Sequence, residues 1–222
     1  MRTTLFAALL SLSLSACGED ITDLSTPNLS GEVISESAAL LDTAASFDAT
    51  YQTPFCSDPG SACDSGSLLN GRSDSAPEVN GPNTLFSSCA DGTWGGYFSK
   101  RAIEHLSVST SDGSTLAAGK TVTLEATVYA YSLVQDKLDL YYSASVDSPS
   151  WTYLGTYAPS RSGLNTVSVS YTLPAGSVQA VRANFRFVDS SNTNSPASFC
   201  STGNYDDHDD LVFTVQSSAA SL

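Results

Sequence analysis

Short runs in which apolar and polar residues alternate recur through the second half of the chain. Leu106 and Val108 begin the series, and Val122, Leu124, Ala126, Val128 and Ala130 give its longest member. Leu138, Leu140 and Tyr142 follow, then Val167, Val169 and Tyr171, then Val181, Ala183, Phe185 and Phe187, and finally Leu211, Phe213 and Val215. A period of two places every second side chain on one face of an extended strand, so each run reads as a half-buried strand. The turn pairs Asp112-Gly113, Ser162-Gly163 and Ala175-Gly176 separate the runs, and Trp151 to Tyr157 supplies a seventh strand. Strands apolar on one side are satisfied most simply by packing two antiparallel sheets face to face. The expected fold is therefore an all-β, two-sheet β-sandwich over residues 99–217.

The remainder divides by composition. Residues 1–16 hold Arg2 and a short apolar stretch from Leu5 to Leu14. That stretch falls short of the ~20 apolar residues of a spanning helix, so it reads as a signal peptide. Residues 17–46 are rich in Ser, Thr, Asp and Glu without sustained periodicity and read as a flexible tether. Residues 47–98 concentrate Cys, Pro and Gly and read as a loop-rich head packed on the sandwich, with few regular strands expected. Residues 218–222 form a tail.

Leu14-Ser15-Ala16-Cys17 resembles the lipobox of bacterial lipoproteins. The resemblance implies that Cys17 is acylated and becomes the mature N-terminus, anchoring the protein to a membrane. Gly18 follows in place of the Asp that resembles an inner-membrane retention signal, so a bacterial cell-envelope location at the outer membrane or cell surface is expected.

Setting Cys17 aside leaves Cys56, Cys63, Cys89 and Cys200, an even number suited to two disulfides in an oxidising compartment, with three possible connectivities. The step of seven residues across Pro59-Gly60 favours Cys56 with Cys63, leaving Cys89 for Cys200. The spacings are not those of a zinc site.

Charge narrows the function classes. Nine Lys and Arg against 23 Asp and Glu give a formal net charge of −14, which argues against a general nucleic-acid binder and suits a cation. The densest acidic run is Tyr205-Asp206-Asp207-His208-Asp209-Asp210, set just before the last strand. Clustered carboxylates repel unless a cation sits among them, and hard oxygen donors suit Ca²⁺. Asp206, Asp207, Asp209 and Asp210 are therefore candidate calcium ligands, with the turns Asp91-Gly92-Thr93 and Asp112-Gly113 as possible contributors. A solvated acidic loop is the alternative.

Strand parity yields a second candidate site. If Val128 and Ala130 face inward, Tyr129 and Tyr131 face outward; the same parity turns Asp139 and Tyr141 outward if Leu140 faces inward, and Arg182, Asn184 and Arg186 outward if Phe185 does. Aromatic faces flanked by Arg, Asn and Asp are what a carbohydrate-binding sheet needs, although the same residues would also serve as sheet cover or lie beneath a loop such as 189–203.

The stretches Leu138-Asp139-Leu140-Tyr141-Tyr142-Ser143, Ser150-Trp151-Thr152, Leu173-Pro174-Ala175-Gly176 and Asp209-Asp210-Leu211-Val212-Phe213 resemble jelly-roll accessory modules of the galactose-binding-like class. That resemblance implies a binding role and one structural Ca²⁺, with Glu104 of the first strand joining Asp209 or Asp210. It carries no catalytic residues. HExxH, GxSxG and a phosphate-binding glycine loop are absent from the sequence. The expectation is a non-catalytic module for a glycan. A structural or adhesive protein contacting another envelope protein is the alternative, and a carboxylate-dependent hydrolase a more distant one.

Overall fold

The computed structural model describes residues 43–58, 60–71, 78–94, 101–189 and 196–217. The expected signal peptide, the expected acylation site Cys17, most of the expected tether and the C-terminal tail lie outside these residues.

Ten strands are present: β1 (Ser46–Asp48), β2 (Thr53–Cys56), β3 (Ala62–Asp64), β4 (Ala102–Thr110), β5 (Thr121–Ala130), β6 (Asp136–Ser143), β7 (Thr152–Tyr157), β8 (Gly163–Thr172), β9 (Val178–Phe187) and β10 (Asp207–Thr214). All seven strands read from the alternation are there. They form two sheets, of order β1-β2-β10-β9-β6-β7 and β3-β4-β5-β8, so the chain is an all-β, two-sheet sandwich. All neighbours are antiparallel except the parallel pair β2 and β10. Among the described residues no helix is long and apolar enough to cross a membrane.

The core fills from the facing parities. Leu106, Val108, Leu124, Ala126 and Val128 of the smaller sheet meet Leu138, Leu140, Val181, Phe185, Leu211 and Phe213 of the larger one. Burying a large aliphatic or aromatic side chain stabilises by roughly 1.5–3 kcal/mol, so this layer is the main driving force for closing the sandwich.

The head departs from the expected loop. Its strands β1 and β2 extend the larger sheet and β3 extends the smaller one, so it belongs to the sandwich itself. The boundary at residue 46 moves too, since the Ala45 amide donates to the Asp64 carbonyl and the Asp64 amide to the Thr43 carbonyl. The Cys56–Cys63 disulfide joins β2 to β3 and hence one sheet to the other. The Cys89–Cys200 disulfide ties the head to the segment before β10. Both pairings match the expectation. Their closed loops, of sequence separation 7 and 111, are worth roughly 2.5 and 4.7 kcal/mol in the chain-entropy model.

The larger sheet is buried on both faces. From Gln179 to Arg186 every residue of β9 is buried, as is β10 from Asp207 to Phe213. One face meets the other sheet, and the head and the 198–201 segment cover the other. That second cover decides the fate of both candidate sites.

Candidate metal centre

The last strand begins inside the acidic run. Asp207 and Asp209 share the parity of the core residues Leu211 and Phe213, whereas His208 and Asp210 share that of Val212 on the opposite face. Parity therefore splits the acidic run into two groups with different partners.

On the inward side Asp207 sits opposite Phe185 and Asp209 opposite Ala183. One Asp207 oxygen accepts the Ile103 amide at 2.6 Å, joining the ends of the two sheets. Two loops of the head converge on this end. In the first, Asn83 adopts φ 49° and its side-chain amide donates to Glu78 and to the Val79 carbonyl. The Asn83 carbonyl accepts the Asp210 amide at 2.9 Å, and the Asp210 carboxylate accepts the Leu85 amide at 2.7 Å, so this loop is pinned to β10 at two points. In the second loop, Gly92 donates to the Asp206 carbonyl and Trp94 to that of Asn204. A Cβ on Gly92 would lie 2.3 Å from the Asn204 carbonyl oxygen, so only glycine permits this approach. The docking brings Asp91 to β10, where it accepts the His208 amide at 3.0 Å.

Glu78, Asp91 and Asp207 thereby each place one carboxylate oxygen within 4.8 Å of the others. Asp209 adjoins them, fully buried, and no N–H or hydroxyl donor reaches either of its oxygens, the second Glu78 oxygen or the Asn83 side-chain carbonyl. Burial raises the Glu78 pKa to about 9, with the Asp207 and Asp91 charges adding to it. Burial, then Glu78 and Asp207, hold the Asp209 carboxyl well above the usual carboxylate range. Glu78 and Asp209 are close enough to share a proton. Burying charge without compensation is costly, so the cluster must hold either protons or a cation.

The donor set suits a hard cation. The three converging carboxylates, with Asp209 and the Asn83 carbonyl adjoining, are all oxygen donors, and calcium accepts six to eight oxygen ligands in flexible geometry, whereas magnesium favours a few carboxylates and retained water. A second convergence, of Cys89, Cys200 and His208, offers no thiolate because the two cysteines form a disulfide.

Of the residues expected from the sequence, Asp207 enters the cluster and Asp209 adjoins it through Glu78, with Asp91 from the contributing turns. Asp206 and Asp210 are engaged elsewhere. Asp206 accepts the Gly203 and Phe187 amides and closes the turn before β10. Asp210 takes both Nε and Nη2 of Arg182 at 2.7 Å. Glu104 is buried in the bulge of β4 between Ile103 and His105, and it is not one of the three residues whose oxygens converge. Asp112 pairs with Lys120 on an exposed hairpin. Sequence reasoning missed Glu78 and Asn83. The signal was a lone Glu in Glu78-Val79-Asn80-Gly81-Pro82-Asn83, a segment otherwise read only as turns.

The expected carbohydrate face requires correction. Asp139, Tyr141, Arg182, Asn184 and Arg186 do point away from the core, but all five are buried. The 198–201 segment lies over them: Asn184 donates to the Ser198 carbonyl, Arg182 to that of Phe199, and the Ser198 amide to Asp139. Arg186 is paired with Asp139, and Arg182 stacks 4.3 Å from the Trp151 ring as well as binding Asp210. Tyr129 and Tyr131 belong to β5 and the turn after it, in the other sheet, so the seven residues line no common groove.

A different corner is open. Trp94 is 57% exposed and its ring lies 6.3 Å from that of Tyr205. Beside it is a cavity of about 240 Å³, lined by Asp91, Thr93, Ser201 and Asn204 among others. The Arg101 guanidinium stacks between Phe187 at 4.5 Å, Tyr205 at 5.0 Å and Tyr131 at 5.3 Å, and pairs with Asp136.

No family model matches the chain, and no curated protein matches it.

Proposed function

We propose that this chain is an exported, lipid-anchored cell-envelope protein whose β-sandwich is a non-catalytic carbohydrate-binding module held together by one buried calcium ion. The observation that carries the reading is the closed cluster of Glu78, Asp91, Asp207 and Asp209. Its fully buried Asp209 and Asn83 present oxygens that no N–H or hydroxyl donor reaches, Asp209 having only the Glu78 carboxyl beside it. A cation there neutralises the repulsion and binds the larger sheet and two head loops into one unit, because its ligands come from β10 and from loops that dock on it. Glu78 and Asp209 are the carboxylates whose acidity is most perturbed, and they face the sandwich interior, which favours a structural role over acid–base chemistry at a substrate. Anchorage through Cys17 rests on the lipobox resemblance, and disulfides fit an exported chain.

The carbohydrate site moves from the sheet face to the Trp94 corner. An exposed indole beside a small cavity edged by Thr93, Ser201, Asn204 and Asp91 offers a stacking surface next to hydroxyl-directed hydrogen-bonding groups. Asp91 borders the cavity and also belongs to the metal cluster, so calcium removal loosens the ligand site. The test is glycan-array binding of the intact chain with calcium and with chelator, alongside Trp94→Ala. Binding lost in the variant while its melting temperature is kept supports the reading. Equal binding by Trp94→Ala, or no glycan bound, overturns the carbohydrate assignment.

A further inference from the structure

Each sheet has two edge strands, and three of the four edges are blunted. β1 is three residues long. β3 is also three residues long and is bridged by residues 43–45. β7 has six residues, contains Gly155, and meets β6 through a register shift. Short length, cover, bulges, Pro and charge are how sheet proteins keep their edges from pairing with other chains.

β8 has none of these. It runs ten residues from Gly163 to Thr172, pairs with β5 in unbroken register throughout, and contains no Pro and no charged residue in a chain of net charge −14. The Arg161 guanidinium takes the Leu164 carbonyl at the strand's start. From Asn165 onward, no other strand among the described residues lies beyond it. The sandwich is also least closed on this side. Val167 and Val169 of β8, with Leu154 and Tyr157 of β7, pack against the core yet remain only partly buried.

We infer that β8 is a self-association edge, pairing antiparallel with β8 of a second copy so that two four-stranded sheets become one eight-stranded sheet across a two-fold axis. Self-complementarity is the argument for a second copy. Antiparallel pairing about a two-fold axis sets the residue on the axis against its own image and residues equally spaced on either side against each other, and side chains keep to their own faces only when paired residue numbers sum to an even value. An axis at Ser168 sets Ser168 against Ser168, Thr166 against Ser170, and Val167 against Val169. The exposed face then continues a hydroxyl ladder that β5 and β8 already make, in Thr127–Thr166 at 2.9 Å and Thr123–Ser170 at 3.5 Å. The other face covers the half-exposed valines. The nearest like charges are Glu125, which accepts the Ser168 hydroxyl, and its image. Each carboxylate lies 2.9 Å from a Ser168 hydroxyl, so at ~4.8 Å per strand the two charges are about 10 Å apart, beyond the ~8 Å screening length at physiological ionic strength. The excess negative charge of each copy still opposes approach, so salt strengthens the pairing.

The test is sedimentation velocity of the full-length chain, made by cell-free synthesis under oxidising conditions so that Cys17 carries no lipid. One chain is 23.1 kDa. The wild type should sediment as a dimer at tens of micromolar and dissociate on dilution, with the dissociation constant falling several-fold as salt rises. Ser168→Lys faces solvent beside Glu125, so it leaves the monomer folded but sets two ammonium groups against each other across the axis. It should be monomeric at the same concentration with unchanged circular dichroism. Mixing it with Ser168→Glu should restore a dimer. Hydrogen exchange gives a reading that does not depend on these variants, as wild-type β8 amides should gain protection with concentration while those of β7 do not. A monomeric wild type at millimolar concentration, or a dimer indifferent to Ser168→Lys, overturns the inference.

Discussion

Stripping the cation from the protein should make its stability fall as pH rises. In the metal-free native state Glu78 is held at about 9 against its ordinary 4.5, and Asp209 is held well above 3.8, chiefly by burial. Both carboxyls ionise near their ordinary values once the chain unfolds. Between pH 4.5 and 9 the folded state therefore binds more protons than the unfolded one. Stability is fully present below the unfolded pKa and is lost as pH rises toward the folded value. Each proton held only by the native state contributes a slope of about −1.4 kcal/mol per pH unit. One shared proton, the least the coupled pair requires, removes about 4 kcal/mol between pH 5.5 and 8.5. For a domain of this size that is a fall of about 3–6 °C in melting temperature per pH unit. Saturating calcium displaces the protons and removes this slope. The assay is thermal melting at four pH values across that window, in chelator and in millimolar calcium. The quantity read is the difference between the two curves, which cancels titrations outside the cluster. Curves that stay parallel, or a metal-free protein that gains stability with pH, would refute the reasoning.

Asp210→Asn should cost about 3–5 kcal/mol, because it leaves the buried Arg182 guanidinium without its carboxylate, and the calcium-dependent rise in melting temperature should persist. Replacing Cys89 and Cys200 together by Ser should cost up to about 4.7 kcal/mol and raise hydrogen exchange at 198–201, the segment over Arg182 and Asn184. Cys17→Ser should abolish membrane partitioning and leave the folded domain unchanged, read by fractionation and by mass.

The seven principal strands were legible because each carries a period of two that only an extended, half-buried segment needs. The disulfide pairing was legible because the seven-residue step made one bridge local. Cover over the larger sheet was not. Parity correctly turns Arg182, Asn184 and Arg186 away from the core, but it says nothing of what lies over them, and the covering residues Ser198 and Phe199 are held there by a bridge to Cys89. A hint existed in charge matching: Arg182 stands opposite Asp210, and Arg186 pairs with Asp139, as buried arginines require. The carboxylate cluster was half legible. Asp207 and Asp209 come from an obvious acidic run, but separating them from Asp206 and Asp210 needs the point at which β10 begins. Glu78 and Asn83 come from a loop whose placement depends on tertiary contacts to Asp210. Strands β1 to β3 escaped notice because runs of three or four residues are too short to display a period.

Calcium stoichiometry of the intact chain tests the central claim most directly. Protein stripped with chelator and titrated calorimetrically at pH 7.5 should bind one calcium per chain, releasing protons as it does so. The double variant Glu78→Gln, Asp209→Asn should bind at least a hundredfold more weakly while keeping its disulfides and circular dichroism. No heat and no bound calcium at millimolar concentration, with the stripped protein folded and melting as before, would contradict the account.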